Sequence, residues 1–395
     1  MKFKKNKNLS NPVGDLSLSG TNGLKILITT GIYPPESGGP ATYVKNLAQV
    51  LVRQNHQVGV ITYSDQDKYD GDDSLDYKLI RIKRGNKFLN YINFFRSVLK
   101  NIKDFDLVYC FDHFSAGIPS VLAAKLKSKK IAIRIGGDFI WERYLRITKK
   151  GITLRDYYLQ NLHRKDWFRF LIIKIVFKFT DLIVFTTKFQ REIFEKYYNL
   201  NPQKIKYIHN PFSVEKKSSS DIIRSKNILF VGRVIEKNNI RRMISVFNSV
   251  DQDKFKLVII GQGEIKEGLE KIVRADGSAN IVFKGRLSRE EVLKEMKEAH
   301  AMVFPSYTDI SPNTVLECIT TNTPFILTTE QGFDWLKGKV LEFNPLEDEE
   351  MRDCLEKVIN PEFYKEYQEK IKELDYNYTY QEAIKVTLSL FQELL

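Results

Sequence analysis

Short apolar runs alternate with amphipathic stretches along most of the chain. In the first half, the apolar runs indicate buried strands at Leu24–Thr29, Val58–Thr62, Leu79–Ile82, Leu107–Phe111, Ile131–Ile135 and Leu182–Thr186. Between most of these runs the apolar spacing is helical, most clearly over Thr42–Gln54. Strands that alternate with helices predict a parallel sheet covered by helices on both faces.

The alternation stops near residue 211 and restarts after residue 225. The polar stretch Ser213–Ser225 contains three consecutive serines and is the predicted linker. The second half has predicted strands at Ile228–Val231, Leu257–Ile260, Ile281–Lys284, Met302–Phe304 and Phe325–Thr328. Its predicted helices are Ile240–Val250, Ile265–Val273, Arg289–Ala299 and Asn313–Thr321. We therefore predict two Rossmann-like α/β domains, residues 23–211 and 212–377, that face a central cleft containing the site.

Length and charge agree with two domains and an anionic partner. The 395 residues exceed what one core usually supports, and the formal charge of +13 favours phosphate groups, acidic lipid or nucleic acid. Nucleic acid is disfavoured because no reading motif is present and the positive charge is spread along the chain. Three cysteines without CxxC spacing predict no disulfide and a reducing compartment.

The N-terminal residues 1–22 are basic and polar, and we expect a disordered tail without a signal peptide. The longest apolar stretch, Phe170–Phe179, is interrupted by two lysines and is too short to span a bilayer. These features predict a cytoplasmic protein, and they leave contact with the inner face of the membrane open.

Two loops that follow predicted strands contain residues suited to anions. Gly38 and Gly39 precede the first helix, where the backbone can approach a ligand and the helix N-terminus offers unpaired N–H groups. A turn that needs positive φ is the equally weighted alternative. Arg233 and Lys237 follow a strand-end glycine and could stabilise a diphosphate leaving group. The alternative for these cations is a solvated basic loop.

A third set of residues follows the fourth predicted strand of the second half. Asp309 lies in the predicted loop and Glu317 about one turn into the next helix. Ser311 and Asn313 suit helix N-caps, and Pro312 suits a helix start. Such a loop can bind phosphate while the carboxylate in the helix accepts hydrogen bonds from a sugar diol. From these residues alone, capping chemistry with a helix-face carboxylate is the favoured interpretation.

In this order, on two α/β domains, the three sets resemble the large GT-B family of retaining glycosyltransferases, family four. The glycines of Gly261-Gln-Gly263 and the stretch Phe283–Gly285 extend the resemblance, which covers the chain from about Leu24 to its end. It implies metal-independent, cofactor-free transfer from a nucleotide-diphosphate-sugar to a hydroxyl of a glycan or lipid-linked acceptor, in polysaccharide or lipopolysaccharide synthesis. It also implies that a C-terminal helix, residues 378–395, crosses back to the first domain.

The resemblance assigns roles to individual residues. The implied donor-binding residues are Gly38, Gly39, Arg233, Lys237, Ser311, Pro312, Asn313 and Glu317. Among them, Glu317 would hold the ribose hydroxyls, while Arg233 and Lys237 would neutralise the diphosphate. Asp309 would stand near the donor sugar as a catalytic residue.

The sequence also departs from the family pattern. Asp309 and Ile310 stand where the family usually has Glu and Gly, and Phe111 stands where it often has a catalytic-site histidine. Asp112 or His113 is the candidate replacement for that polar group. These departures motivate the alternative of a catalytically silent GT-B subunit that binds a partner. A nucleotide-sugar epimerase fits less well, because it would need acid/base pairs of its own.

Two further segments have open interpretations. Asp138, Trp141 and Glu142 resemble a loop of some bacterial members and would line the acceptor side of the cleft. A turn with an aromatic ring packed over it is equally favoured. The basic, aromatic stretch Arg164–Phe179 is expected to be a core helix, because its apolar residues lie nearly all round. Weak peripheral membrane contact is the alternative.

Overall fold

The computed structural model describes residues 23–36, 38–212, 224–250 and 255–395. The expected tail of residues 1–22 and most of the predicted linker lie outside the described residues.

The first domain contains a seven-stranded parallel sheet. Its strands are β1 (Lys25–Thr30), β2 (Gln57–Ser64), β3 (Lys78–Lys83), β4 (Leu107–Cys110), β5 (Lys130–Ile135), β6 (Leu182–Phe185) and β7 (Ile205–Tyr207). Its helices are α1 (Gly39–Arg53), α2 (Lys87–Asn101), α3 (Gly117–Leu126), α4 (Phe139–Thr148), α5 (Leu154–Leu159), α6 (Trp167–Phe179) and α7 (Lys188–Tyr198). The strand order is β3-β2-β1-β4-β5-β6-β7, and Ile26 of the central β1 pairs with Val58 and Leu107.

The second domain contains a six-stranded parallel sheet. Its strands are β8 (Asn227–Val231), β9 (Lys256–Ile260), β10 (Ile281–Gly285), β11 (Ala301–Phe304), β12 (Phe325–Thr328) and β13 (Leu341–Phe343), in the order β10-β9-β8-β11-β12-β13. Its helices are α8 (Ile240–Ser249), α9 (Lys266–Ala275), α10 (Arg289–Glu298), α11 (Asn313–Thr320), α12 (Asp348–Ile359) and α13 (Pro361–Lys372). The two Rossmann-like sheets confirm the predicted fold class.

A final helix, α14 (Tyr380–Leu394), returns to the first domain. Its buried Ile384 and Phe391 belong to the same apolar cluster as Ile26 and Val44 of that domain. The predicted crossing of the C-terminal helix is therefore confirmed.

The two chain crossings between the domains lie side by side. Phe212 N–H donates to Tyr378 O at 2.9 Å, and the Tyr376 hydroxyl donates to Asn210 O at 2.6 Å. The domains also touch near α5, where Leu154 N–H donates to Thr308 Oγ1 at 2.8 Å.

The helix α6 differs from its prediction. It buries Ile173, Val176 and Phe177, whereas Trp167 and Leu171 are exposed. The expectation of a helix buried all round is therefore wrong, since only one side of α6 packs on the domain. Among the helices of the described residues, none is long and apolar enough to cross a bilayer. Cys110, Cys318 and Cys354 are buried and unpaired, as predicted.

Candidate active site

Three strand-end loops of the second domain pack tightly beside the cleft. Gly261 has φ +147°, and a Cβ added there would lie 1.8 Å from Gly232 O. Its N–H donates to Gly285 O at 2.7 Å, which joins the ends of β9 and β10. Only glycine suits Gly261, because a side chain would both strain the backbone and separate the loops.

Arg233 and Lys237 extend from the loop after β8. Arg233 is exposed and has no ion pair among the residues that the structure describes. Lys237 Nζ lies 3.1 Å from Glu142 Oε1, in an ion pair that joins the two domains. Burial acts to raise the pKa of the Glu142 carboxyl, but Lys237 and Arg233 outweigh it and hold that pKa below its ordinary value. The two cations predicted from sequence therefore face the first domain across the cleft.

The N-terminus of α11 carries no side-chain cap. The N-cap residue is Pro312, so the expected capping by Ser311 or Asn313 is wrong. Asn210 explains the difference, because its Nδ2 donates to Ser311 O at 3.3 Å and to Asn313 Oδ1 at 3.2 Å. The Ser311 hydroxyl is buried, with no hydrogen-bond partner within the described parts of the chain. An uncapped N-terminus of this kind is suited to an anion.

Glu317 lies in α11 with 9% of its surface exposed. Its Oε1 is 3.0 Å from Arg289 Nη1, at the exposed start of α10. Burial raises the pKa of Glu317, and Arg289 partly opposes that rise. The buried Glu317 carboxylate therefore has a charged partner, Arg289, whose side chain is largely exposed to solvent.

Asp309 is a buried carboxylate on which Lys237 acts electrostatically. Its Oδ2 accepts a hydrogen bond from Ser306 Oγ at 3.4 Å, and its N–H donates to Glu330 O at 2.8 Å. Burial raises its pKa, while Lys237 and Ser306 lower it. The neighbouring Ile310 is buried in the apolar core of the first domain. Ile310 thus adds an interdomain contact that the glycine usual at this position lacks.

Asp112 is half-buried and His113 is buried, and both contact neighbouring residues of the first domain. Both Asp112 oxygens accept hydrogen bonds from the turn that follows, from the N–H groups of Phe114 and Ser115 and from the Ser115 hydroxyl. The His113 ring packs 5.7 Å from Phe177, and burial lowers its pKa. His113 Nε2 is buried and has no hydrogen-bond partner among the described residues.

The position of Phe111 is filled by packing. Its ring lies 4.5 Å from Tyr109 and 5.4 Å from Tyr43. The side chain at this position is therefore packed and apolar, and Asp112 or His113 stays the predicted replacement for the family histidine.

Two residues of the expected acceptor loop contact Lys237 of the second domain: Glu142 forms an ion pair with it, and the Lys237 Nζ lies 5.9 Å from the centre of the Trp141 ring. Asp138 is buried and caps α4, accepting from Trp141 N–H at 2.8 Å and from the Tyr158 hydroxyl at 2.6 Å. Burial raises its pKa to about 6. Trp141 is fully buried, and its indole N–H donates to Ile152 O at 3.1 Å.

The two glycines before α1 have different surroundings. A Cβ on Gly38 would lie 2.7 Å from Ile32 Cδ1, whereas a Cβ on Gly39 would meet nothing within 4 Å. Gly38 is the N-cap of α1 and has an extended backbone with φ 160°. The alternative of a turn in the left-handed region is therefore not observed at this glycine. Gly39 begins the helix at an open, exposed position.

Three residues at or beside the site were missed by the sequence reasoning. Asn210 holds the loop before α11, and the buried Arg134 fixes Asn210 by donating from Nη2 to its Oδ1 at 3.0 Å. The signal was the triplet His209-Asn210-Pro211, at the point where the first alternation ends. Arg289, the partner of Glu317, had no signal beyond its charge.

Family models match most of the chain. Residues 37–216 match the model described as glycosyltransferase family 4, and residues 214–377 match glycosyl transferases group 1. The chain belongs to the family-four glycosyltransferases of the GT-B fold. In this glycosyltransferase the two matched regions meet at the linker between the domains.

Curated relatives resemble this glycosyltransferase at low identity. An uncharacterized glycosyltransferase of Methanocaldococcus jannaschii is 25% identical over 58% of this chain and 58% of its own length. The alpha-monoglucosyldiacylglycerol synthase of Streptococcus pneumoniae is 22% identical over 77% of this chain and 70% of its own. The O-antigen chain mannosyltransferase of Salmonella typhimurium is 23% identical over 70% of this chain and 88% of its own.

Solved structures share the fold of the glycosyltransferase. HepE of Anabaena, in complex with UDP, has a TM-score of 0.69 at 13% identity and covers 94% of this chain and all of its own. The lipopolysaccharide outer core galactosyltransferase WaaB has a TM-score of 0.63 at 17% identity, with the same coverage.

Proposed function

We propose that this glycosyltransferase transfers a sugar, with retention and without a bound metal, from a nucleotide-diphosphate-sugar to a hydroxyl of a glycan or lipid-linked acceptor. The named relatives act in glycolipid and O-antigen synthesis, which supports cell-surface polysaccharide, lipopolysaccharide or glycolipid synthesis as the setting. The proposed location is the cytoplasmic side of the membrane.

One observation carries this proposal. Lys237, Arg233 and the uncapped N-terminus of α11 lie at the carboxyl edge of one parallel sheet, with the Glu317 carboxylate in the same helix. A diphosphate that departs there gains positive charge from two side chains and one helix end. Each charge-assisted hydrogen bond contributes about 1.5–3 kcal/mol. This charge supports leaving-group stabilisation without a metal.

The carboxylate in α11 has the complementary task. Ionised Glu317 accepts two hydrogen bonds from the ribose diol, and Arg289 favours the ionised form. Asp309, which lies beside Lys237, is proposed to order the donor sugar. UDP bound to the structural neighbour HepE supports a nucleotide ligand in this fold.

A thermal-shift panel of nucleoside diphosphates and their sugars, in EDTA, tests the donor site. A ligand at about 100 times its Kd should stabilise the protein by about 2.7 kcal/mol. We expect Glu317→Ala to lose the shift and Glu290→Ala, an exposed carboxylate on α10, to keep it. An unchanged shift in Glu317→Ala would remove the ribose assignment.

A silent GT-B scaffold is the second candidate. It is favoured by Phe111, which packs between two tyrosines, and by Asp112, whose oxygens are occupied by the turn. Slow hydrolysis of the bound donor by purified protein, lost in Asp309→Asn, would reject this candidate. Binding without hydrolysis or transfer to any acceptor would favour it.

A further inference from the structure

The first domain carries an exposed apolar face beside lysines. The α6 surface consists of Trp167, Phe168, Leu171, Ile175 and Phe179 of α6 with Leu122 and Leu126 of the neighbouring α3. These seven side chains are between 44% and 64% exposed. Large exposed apolar patches on a protein indicate an interaction site.

The exposed face of α6 combines apolar side chains with lysines. Lys174 and Lys178 are exposed and one turn apart, on the shoulder of the stripe formed by Leu171 and Ile175. The opposite side, with Ile173 and its buried neighbours, packs on the domain. An apolar stripe bordered by lysines with an aromatic residue at its start is typical of a helix that lies in a lipid interface.

The charge around the α6 surface is positive. Residues 167–179 contain no acidic residue. The two flanking acids are neutralised, since Asp166 pairs with Arg143 and Arg169, and Asp181 pairs with Lys125. Exposed cations of this region without an ion pair among the described residues include Arg164, Lys165, Lys174, Lys178, Lys127 and Lys130. This composition fits an anionic surface with an apolar interior.

A second copy of the chain fits this surface poorly. In a twofold dimer the same patch would face itself and bring lysines against lysines. A bilayer of anionic lipid satisfies both parts of the surface, because its headgroups pair with the lysines and its acyl chains receive the apolar residues. At 13 residues, α6 is about 20 Å long and can lie flat in the headgroup region.

We propose that the α6 surface docks the enzyme onto anionic lipid bilayers. The inference goes beyond the proposed reaction, because it concerns where the enzyme sits and not what it transfers. Trp167 and Phe168 enter the interface while Lys174 and Lys178 contact the headgroups. The cleft then stays beside the membrane while the domains bind a donor from solution.

Vesicle flotation tests the docking. We expect the full chain to float with phosphatidylcholine vesicles containing phosphatidylglycerol and to remain behind with phosphatidylcholine alone. A Lys near an anionic surface contributes about 1 kcal/mol, so Lys174→Glu with Lys178→Glu should weaken partitioning at least about tenfold. Leu171→Ser with Ile175→Ser should also weaken it at least about tenfold, through lost apolar burial.

Matched controls change the same residue types elsewhere. Lys294→Glu with Lys297→Glu, and Val386→Ser with Leu395→Ser, alter exposed residues on α10 and at the C-terminus, and should bind vesicles like the unmodified chain. All variants should keep the thermal shift with the nucleoside diphosphate, which separates docking from the proposed function. Flotation equal in the α6 variants and the controls would overturn the proposal.

Tryptophan fluorescence locates the contact independently. Of the three tryptophans, Trp141 is buried and Trp335 stacks on Tyr376, so Trp167 is the one open to lipid. Brominated acyl chains should quench the emission of the bound protein, and Trp167→Phe should remove that quenching while flotation persists. Unquenched emission in the floated protein would overturn the proposal. It would also be overturned if the unmodified chain were a dimer that never binds vesicles and that dissociates when Leu171→Ser and Ile175→Ser are introduced.

Discussion

The ion pair between Lys237 and Glu142 predicts that Glu142→Gln strengthens binding of the nucleoside diphosphate. In the ligand-free enzyme, Lys237 Nζ is 3.1 Å from the Glu142 carboxylate. A diphosphate must draw Lys237 away from this partner or share it. Glutamine keeps the shape of the side chain and removes the competing charge, so the lysine is available at a lower cost.

The size of the gain follows from the burial of the pair. The side chains of Lys237 and Glu142 are 18% and 34% exposed, so solvent screens the interaction in part. With this screening, we take the interaction free energy of the pair as about 1 kcal/mol, at the upper end of the range for exposed ion pairs. The Kd for the diphosphate should therefore fall about fivefold. Because nearby cations hold the Glu142 pKa below its ordinary value, the carboxylate is ionised at neutral pH and the gain applies there.

Isothermal titration calorimetry in low and high salt measures this effect. The gain should shrink in high salt, where screening weakens the pair in the unmodified enzyme. Glu330→Gln is the matched control, since it breaks another interdomain pair, Arg155–Glu330 at 3.3 Å, without freeing Lys237. Equal or weaker binding in Glu142→Gln would refute the reasoning. The same gain in Glu330→Gln would assign it to looser domain contact instead.

Three further predictions concern stability and the loop before α11. Burial raises the pKa of Asp138 to about 6 from 3.8, so stability should fall as pH rises through that range. In urea titrations, Asp138→Asn should remove this slope and add about 1–3 kcal/mol at neutral pH; an unchanged slope would contradict the cause. Gly261→Ala should cost about 1–3 kcal/mol or more through strain and the clash with Gly232, whereas Gly268→Ala, with open space inside α9, should be neutral or stabilising. Asn210→Ala should weaken diphosphate binding by about 0.5–1.5 kcal/mol and also lower the melting temperature, because the buried Arg134 loses a partner; unchanged binding would remove its positioning role.

Most of the fold could be predicted because burial repeats with the period of each element. In β1, Ile26 and the four residues after it are buried, and the predicted run differs from the observed strand by one residue at each end. The strands β7 and β13 were missed, because each has three residues at a sheet edge and too few positions for a pattern. The burial of α6 was predicted wrongly. Its apolar residues give the same sequence pattern whether they face a core or an unpartnered surface.

The positions of the site residues could be predicted better than their partners. Arg233, Lys237 and Glu317 follow strands of one parallel sheet, and such strand ends meet at one edge. The partners depend on the approach of distant segments, as for Glu142, 95 residues before Lys237. The sequence also cannot reveal that Asp112 accepts hydrogen bonds from its own turn, because the residue type is the same for a capping carboxylate and a free one.

The ligand-free site holds its charged groups in pairs that a complete donor can replace together. Lys237 pairs with Glu142, and Glu317 pairs with Arg289. Of these two pairs, a free phosphate can replace only the one at Lys237, and a nucleoside can replace only the one at Glu317. Either ligand forms only part of the new contacts, so its net gain in binding free energy is smaller than that of the complete donor. A nucleoside diphosphate replaces both pairs in a single binding event and also reaches Arg233, which has no ion pair within the described residues. The paired charges therefore favour the whole donor over its fragments, because only the whole donor provides new partners for both Lys237 and Glu317 when their internal ion pairs break.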